Sequence, residues 1–162
     1  MTYFLLIPFL QGYASGSDLA QVFIANTHLI IMIFGVGTDI IEVERIRKVM
    51  EHDIGFRDKI FTRGEIEYCE TKKFKYENYA ARFSAKESFL KAIGTGWRFG
   101  IRFADIEVYH DDLGKPFIRA HGKAKELLND LFISKIHVSL SHLKEMATAI
   151  VILESETNKI NG

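Results

Sequence analysis

Ala81-Arg82-Phe83-Ser84-Ala85-Lys86-Glu87-Ser88-Phe89-Leu90-Lys91 is the stretch on which the rest of the chain turns. It reads as the second half of a helix that begins near Glu77. Tyr79, Ala80, Phe83 and Leu90 recur at helical spacing and mark an apolar face. Glu87 falls inside that stripe, between Phe83 and Leu90. A carboxylate there leaves water at a large cost unless something compensates its charge. Three fates are open to it: protonation, a cationic partner, or a metal ion. The helix taken alone favours an ion pair with Lys91 at i+4, worth about 0.2–0.5 kcal/mol. The helix is expected to stop at Gly94, a left-handed terminator. Gly94-Thr95-Gly96 follows a helix instead of opening one, so it reads as a C-cap and turn and not as a phosphate loop.

Upstream, Ile33-Phe34-Gly35-Val36-Gly37-Thr38-Asp39-Ile40-Ile41 reads as a buried strand, apolar on both faces. Gly35 and Gly37 leave one face bare, which permits close approach by a ligand or another segment. Asp39 interrupts the apolar run. Taken alone it is a helix cap or the partner of an arginine. Glu42 to Met50 looks like a short amphipathic helix, with Val43, Ile46 and Met50 on one side and Arg45, Arg47 and Lys48 on a basic outer face. Such a face is usually only solvated, but it also suits an acidic partner. Phe56 to Phe61 continues the helical signal. Thr62-Arg63-Gly64-Glu65 fits a capping box and predicts a helix to about Thr71, with Lys72-Lys73-Phe74-Lys75 as its basic exit.

Downstream, Asp105 to Tyr109 alternates as a strand. Asp111 to Pro116 is turn chemistry, and Phe117-Ile118 returns as the second strand of a hairpin. Trp97 is expected to be partly buried near the turn that precedes this hairpin. A helix is expected over Gly122 to Asp130, then strands over Ile136 to Leu143 and Met146 to Leu153, joined at Lys144-Glu145. His142 shares a face with Ile136, Val138 and Leu140 and sits at a strand end, where sites tend to lie. After Glu154 the chain is polar and expected to fray.

The 162 residues, 48% apolar and 26% charged, suit one globular domain and exclude a disordered or fibrous chain. A formal net charge of zero supplies no global field for nucleic acid. Cys69 is the single cysteine, so an internal disulfide and a cysteine-rich zinc site are excluded, which suits a reducing, cytoplasmic setting. Residues 1–31 carry one charge, Asp18, and lack the basic start of a secretory signal. The uncharged run from Leu19 to Thr38 is interrupted by polar residues and has no basic flank, so membrane insertion is not expected. The domain boundaries expected are an apolar appendage over 1–31, a working domain over 32–156 and a polar tail over 157–162.

Asp39 and Glu87 are thus two carboxylates inside otherwise apolar elements, with no His or Cys cluster beside them. Two oxygen ligands, leaving room for water and substrate phosphate, is how Mg²⁺ is usually held. Arg82, Lys86 and Lys91 lie on the same helix, and such cations could grip phosphates around a metal. The residues alone reach Mg²⁺-dependent phosphate chemistry and stop there.

Gly35 to Ile40 and Arg82 to Lys91 resemble the two signature motifs of the 4′-phosphopantetheinyl transferases, and are most similar to the small bacterial type. The likeness continues through Phe61-Thr62-Arg63-Gly64-Glu65, Gly94-Thr95-Gly96, Asp105-Ile106-Glu107, Gly114-Lys115-Pro116 and His137 to His142, and covers about Met32 to Leu153. Ser88 stands where Ala is common in such proteins. The resemblance implies an α+β fold, an antiparallel sheet packed by helices, assembled as a homotrimer with active sites between subunits. It implies transfer of 4′-phosphopantetheine from coenzyme A to a serine of acyl carrier protein. It assigns Asp39 and Glu87 as Mg²⁺ ligands and Glu87 and Lys91 as catalytic residues. Arg82, Lys86, Gly94 and His142 fall among the coenzyme A contacts, with Gly114, Lys115 and Pro116 reaching coenzyme A from a neighbouring subunit. Arg45, with Arg47 and Lys48, would receive the acidic helix of the carrier. Two rivals are a Mg²⁺-dependent nucleotide hydrolase built on the same carboxylates, and a nucleotide-binding or trimeric module without turnover.

Overall fold

The computed structural model describes residues 29–94, 96 and 100–158. The expectations for residues 1–28, for Trp97 and for the last four residues therefore lie outside the described residues. Strand β1 (Leu29–Glu42) is followed by helices α1 (Val43–His52), α2 (Phe56–Ile60), α3 (Arg63–Glu70) and the long α4 (Lys75–Ile93). A single 3-10 turn (Phe103–Asp105) leads into β2 (Ile106–His110) and β3 (Pro116–Ala120). Helix α5 (Gly122–Asp130) and strands β4 (Ile133–His142) and β5 (Met146–Asn158) complete the order. The strands form two sheets, β1-β5-β4 and β2-β3. The β4/β5 and β2/β3 pairs are antiparallel, with Val138 opposite Val151 and Val108 opposite Ile118. This is the α+β architecture expected.

Local chemistry explains most boundaries. Thr62 caps α3 through the expected box: its hydroxyl accepts from the Glu65 N–H, and the Glu65 carboxylate accepts from the Thr62 N–H at 2.7 Å. Gly94 closes α4 at φ +78°, donating its N–H to the Leu90 and Lys91 carbonyls. Asp111 folds the β2–β3 turn by accepting from the Leu113 and Lys115 N–H groups.

The long helix departs from expectation. It starts at Lys75, and it is buried almost all round instead of along a stripe: 12 of its 19 residues are enclosed, Arg82, Ser84, Lys86 and Ser88 among them. It is packed from several sides, by α1 and α3 as well as by β2 and β4. Small residues make that possible. A side chain at Gly35 would fall 2.0 Å from the Ala92 carbonyl, and one at Gly37 2.0 Å from the Ser88 carbonyl. The close approach that those glycines permit is therefore taken by α4. Hydroxyls close the seam: Ser84 and Thr148 both donate to the Asp39 carbonyl, and Thr38 and Ser88 both donate to the Ala149 carbonyl. Ser88 thus does work here that Ala could not.

Two apolar clusters flank this seam. The larger gathers Phe89, Leu90, Ile106, Val108, Val151 and Leu153; the smaller gathers Ile41, Ile46, Phe61, Cys69 and Tyr79. Three further boundaries shift. Asp105 lies in the 3-10 turn, β4 begins at Ile133, and β5 continues to Asn158 where fraying was expected. Ser155 is buried and the Glu156 N–H donates to the Phe132 carbonyl, which holds that end of β5. Among the described residues, no helix is long and apolar enough to cross a membrane.

Candidate active site

Strand β1 and helix α4 bring Asp39 and Glu87 together. Asp39 is fixed through its backbone by the Ser84 and Thr148 hydroxyls, so its carboxylate is set against the face of α4 that carries Glu87 and Lys91. Lys91 corrects the expected i+4 pair. Its ammonium donates to Asp39 Oδ1 at 2.8 Å and to the Thr38 carbonyl at 3.0 Å. Glu87 makes no ion pair among the described residues. Burial pushes the Glu87 carboxyl above its usual range, and the Asp39 charge pushes the same way; the charges of Lys91 and Arg45 oppose them with smaller effect. A half-buried carboxylate facing a second one across a helix–strand seam lacks one positive charge. Its donor set is hard oxygen, which fits Mg²⁺ and not a soft metal. No third metal-ligating side chain joins the two among the described residues, so the remaining positions of such an ion would fall to water and substrate phosphate.

The other expected residues divide. Lys86 requires a correction: it is fully buried and is not free to bind phosphate. Its ammonium donates to Glu65 at 2.7 Å and to the Phe103 and Ile106 carbonyls, which uses the three protons it has. Glu65 in turn accepts from the Val108 N–H. Burial holds the Lys86 ammonium below its ordinary range, and Glu65 opposes that. Arg82 is also enclosed. It donates to the Asn78 carbonyl, meets His110 at 3.2 Å and lies 4.1 Å beneath the Tyr68 ring, with its buried Nε lacking a hydrogen-bond partner among the described residues. His142 sits at the end of β4 with its Nδ1 3.2 Å from Glu77 of α4. Gly94 serves as the helix cap. Among the described residues, Gly114, Lys115 and Pro116 bond only within their own hairpin, and Lys115 lies over the Phe117 ring.

The basic face of α1 is less basic than its composition suggests. Arg47 is gripped by Glu44 at 2.6 Å and by Glu51 at 3.1 Å, and Lys48 lies 3.8 Å from Glu44. Among the described residues Arg45 alone of the three has no carboxylate partner; it is exposed, and it is the one whose charge reaches Glu87.

Sequence reasoning missed a cleft of about 900 Å³ beside this helix. Its walls come from Glu44 and Arg47 of α1, from Lys72 to Glu77 and from the β4–β5 turn at Lys144 to Met146. Phe74 is exposed there among three lysines. The Lys72-Lys73-Phe74-Lys75 run was visible as charge; its aromatic neighbour was the overlooked sign of a site able to take a phosphate and a flat ring together.

The sequence profile described as the 4′-phosphopantetheinyl transferase superfamily matches residues 35–151. A holo-[acyl-carrier-protein] synthase of Syntrophus aciditrophicus is 48% identical over 124 residues, 76% of this chain and 97% of the relative. The crystal structure of such a synthase from Bacillus anthracis, in complex with CoA (3′,5′-ADP), superposes with a TM-score of 0.64 at 40% identity, covering 76% of this chain and 98% of that one. The Neisseria meningitidis synthase superposes with a TM-score of 0.69 at 34% identity, covering 75% and 98%. With both signature motifs inside the matched span, the chain belongs to the 4′-phosphopantetheinyl transferase superfamily.

Proposed function

We propose that this protein is a holo-acyl carrier protein synthase: it moves the 4′-phosphopantetheine arm of coenzyme A onto a serine of apo-acyl carrier protein and releases adenosine 3′,5′-bisphosphate. The observation that carries this reading is the Asp39–Glu87 pair, two carboxylates on separate elements with Lys91 bonded to the first, inside a span of 124 residues that is 48% identical to a synthase. The serine oxygen attacks the β-phosphorus, a new P–O bond forms, and the bond to the bisphosphate breaks. Asp39 and Glu87 are the residues that would hold Mg²⁺, which when bound supplies a positive charge to offset that building on the pyrophosphate. Lys91, fixed by Asp39 and the Thr38 carbonyl, adds a second positive charge at the same place. Glu87 would accept the serine proton, directly or through a relaying water.

The nucleotide end of coenzyme A is assigned to the cleft walled by Lys72, Lys73, Phe74 and Lys75, next to the His142–Glu77 pair. Arg82 backs this region through His110. Arg45 is assigned to the carrier's acidic surface. The face of the β1-β5-β4 sheet turned away from α4 presents Phe34, Val36, Ile40 and Ile150 to solvent. An apolar face of that kind supports a homotrimer, in which Gly114, Lys115 and Pro116 of one subunit would reach the coenzyme A of the next. Residues 32–156 are assigned as the working domain and 1–31 as an appendage, in a cytoplasmic enzyme of fatty acid synthesis. A protein beginning at Met32 that folds and transfers supports the boundary.

The test of the function is direct. Apo-carrier protein is incubated with the enzyme, coenzyme A and Mg²⁺ and weighed by mass spectrometry. A mass gain equal to one phosphopantetheine, abolished by a chelator, is expected. Release of the bisphosphate with no gain on the carrier would mean hydrolysis instead.

A further inference from the structure

We propose that Glu44 is an internal competitor for the carrier protein: it occupies the arginine fork that an acidic partner would otherwise take, and so sets how tightly the carrier docks on α1. The proposal rests on the reading that α1 receives the carrier's acidic surface. Its basis is geometric. Arg47 donates from Nε to one Glu44 oxygen at 2.7 Å and from Nη2 to the other at 2.6 Å. That is the bidentate fork by which an arginine recognises an incoming aspartate or glutamate. The third nitrogen, Nη1, is held by both Glu51 oxygens at 3.1 and 3.3 Å. Arg47 therefore has no fork left to offer, although the pair lies in the open, with Arg47 and Glu44 each more than two-fifths exposed. Glu44 also stands 3.8 Å from Lys48. One carboxylate thus damps two of the three cations on this face, while Arg45 has no carboxylate partner among the described residues.

Two consequences follow. Arg45 is the anchor of first contact. Arg47 joins only when a partner carboxylate displaces Glu44, an exchange of like for like that gains little in attraction and adds the repulsion between Glu44 and the acidic partner. The arrangement weakens binding to any acidic surface and penalises least the partner that places a carboxylate against Arg45. This suits an enzyme that must release each carrier after one transfer.

The experiment measures kcat/KM for apo-carrier protein, and separately KM for coenzyme A, in the full-length enzyme and in Glu44→Gln, Glu44→Gln/Glu51→Gln, Arg45→Glu and Glu67→Gln. Glu67 pairs with Arg63 on α3, an exposed i,i+4 pair of the same kind away from α1, and serves as the charge control. Glu44→Gln is expected to raise kcat/KM for the carrier by about 3- to 10-fold, with the double variant higher still and both steeper in their loss with added salt. Arg45→Glu is expected to lower it by at least about 10-fold. If Arg45→Glu lowers it and Glu44→Gln does not raise it, the competitor role is overturned while the docking face stands. An equal rise in Glu67→Gln also overturns it as a general charge effect, and a change confined to the KM for coenzyme A overturns it by assigning Glu44 to the cleft it helps to wall. If Arg45→Glu changes nothing while transfer persists, the docking face itself is wrong and the competitor role falls with it.

Discussion

Lys86 and Glu87 are neighbours on one helix, yet their charges end in opposite conditions. Lys86 points into the core, where Glu65 and two carbonyls satisfy every proton it has. Glu87 points to the β1 side, half-buried, facing Asp39 and lacking an ion pair among the described residues. The first arrangement is closed: it locks α4 to α3, to the 3-10 turn and to the start of β2, and it has nothing left to offer a ligand. The second is open, and a group that carries positive charge completes it. A charge that the fold has already neutralised is structural; one that the fold has left uncompensated marks the chemistry.

That contrast can be broken from either side. Lys86→Met leaves Glu65 buried without its cation and should cost about 3–5 kcal/mol in urea unfolding. Adding Glu65→Met should recover most of that loss, because an apolar pair of similar volume replaces the ionic one. On the open side, Asp39→Ala or Glu87→Ala should lower transfer by about 10²–10³-fold, or about 2.7–4 kcal/mol, while leaving the unfolding midpoint near that of the wild type. An unfolding loss there as large as that of Lys86→Met would erase the distinction. Gly37→Ala tests what holds the open side together. Its new methyl meets the Ser88 carbonyl, so β1 must lift from α4, at a cost of about 1–3 kcal/mol and with a fall in kcat.

The smallest effect concerns pH. Burial and Asp39 hold the Glu87 carboxyl above the usual carboxylate range in the folded chain. The folded state therefore grips that proton more tightly than the unfolded chain does. The stability linked to it is full below the unfolded pKa and is lost as pH rises through the folded one. In metal-free protein at neutral pH, Glu87→Gln should then raise the melting temperature slightly, and the gain should vanish on acidification. Mg²⁺ should stabilise the wild type and not the variant.

How far the sequence carried this account depends on the residue. The capping box at Thr62, the Gly94 terminator, the β2–β3 hairpin and the existence of the strand carrying Asp39 were legible because each is a local pattern; the burial expected of that strand was not met, since Ile33, Phe34, Val36 and Ile40 are exposed. The joining of Asp39 to Glu87 was legible only as two anomalies, each a charge in an apolar element. What failed was long-range choice. Lys91 had two acids within reach, and spacing along the helix named Glu87; the glycine-thinned seam put Asp39 closer. Lys86 shares a helix face with Arg82 and looked ready for phosphate, because nothing local shows that Glu65, from another helix, would close on it. On α1 the composition gave three cations, while the i−3 and i+4 carboxylates that restrain Arg47 were visible in sequence and were not weighed.

The central claim is that Asp39 and Glu87 jointly hold the divalent cation on which transfer depends. Calorimetric titration of Mg²⁺ into the coenzyme A-bound protein, wild type beside Asp39→Asn and Glu87→Gln, addresses it most directly. One ion per chain in the wild type, with affinity at least about tenfold weaker in each variant, is the result predicted. Wild-type affinity in either variant would contradict it.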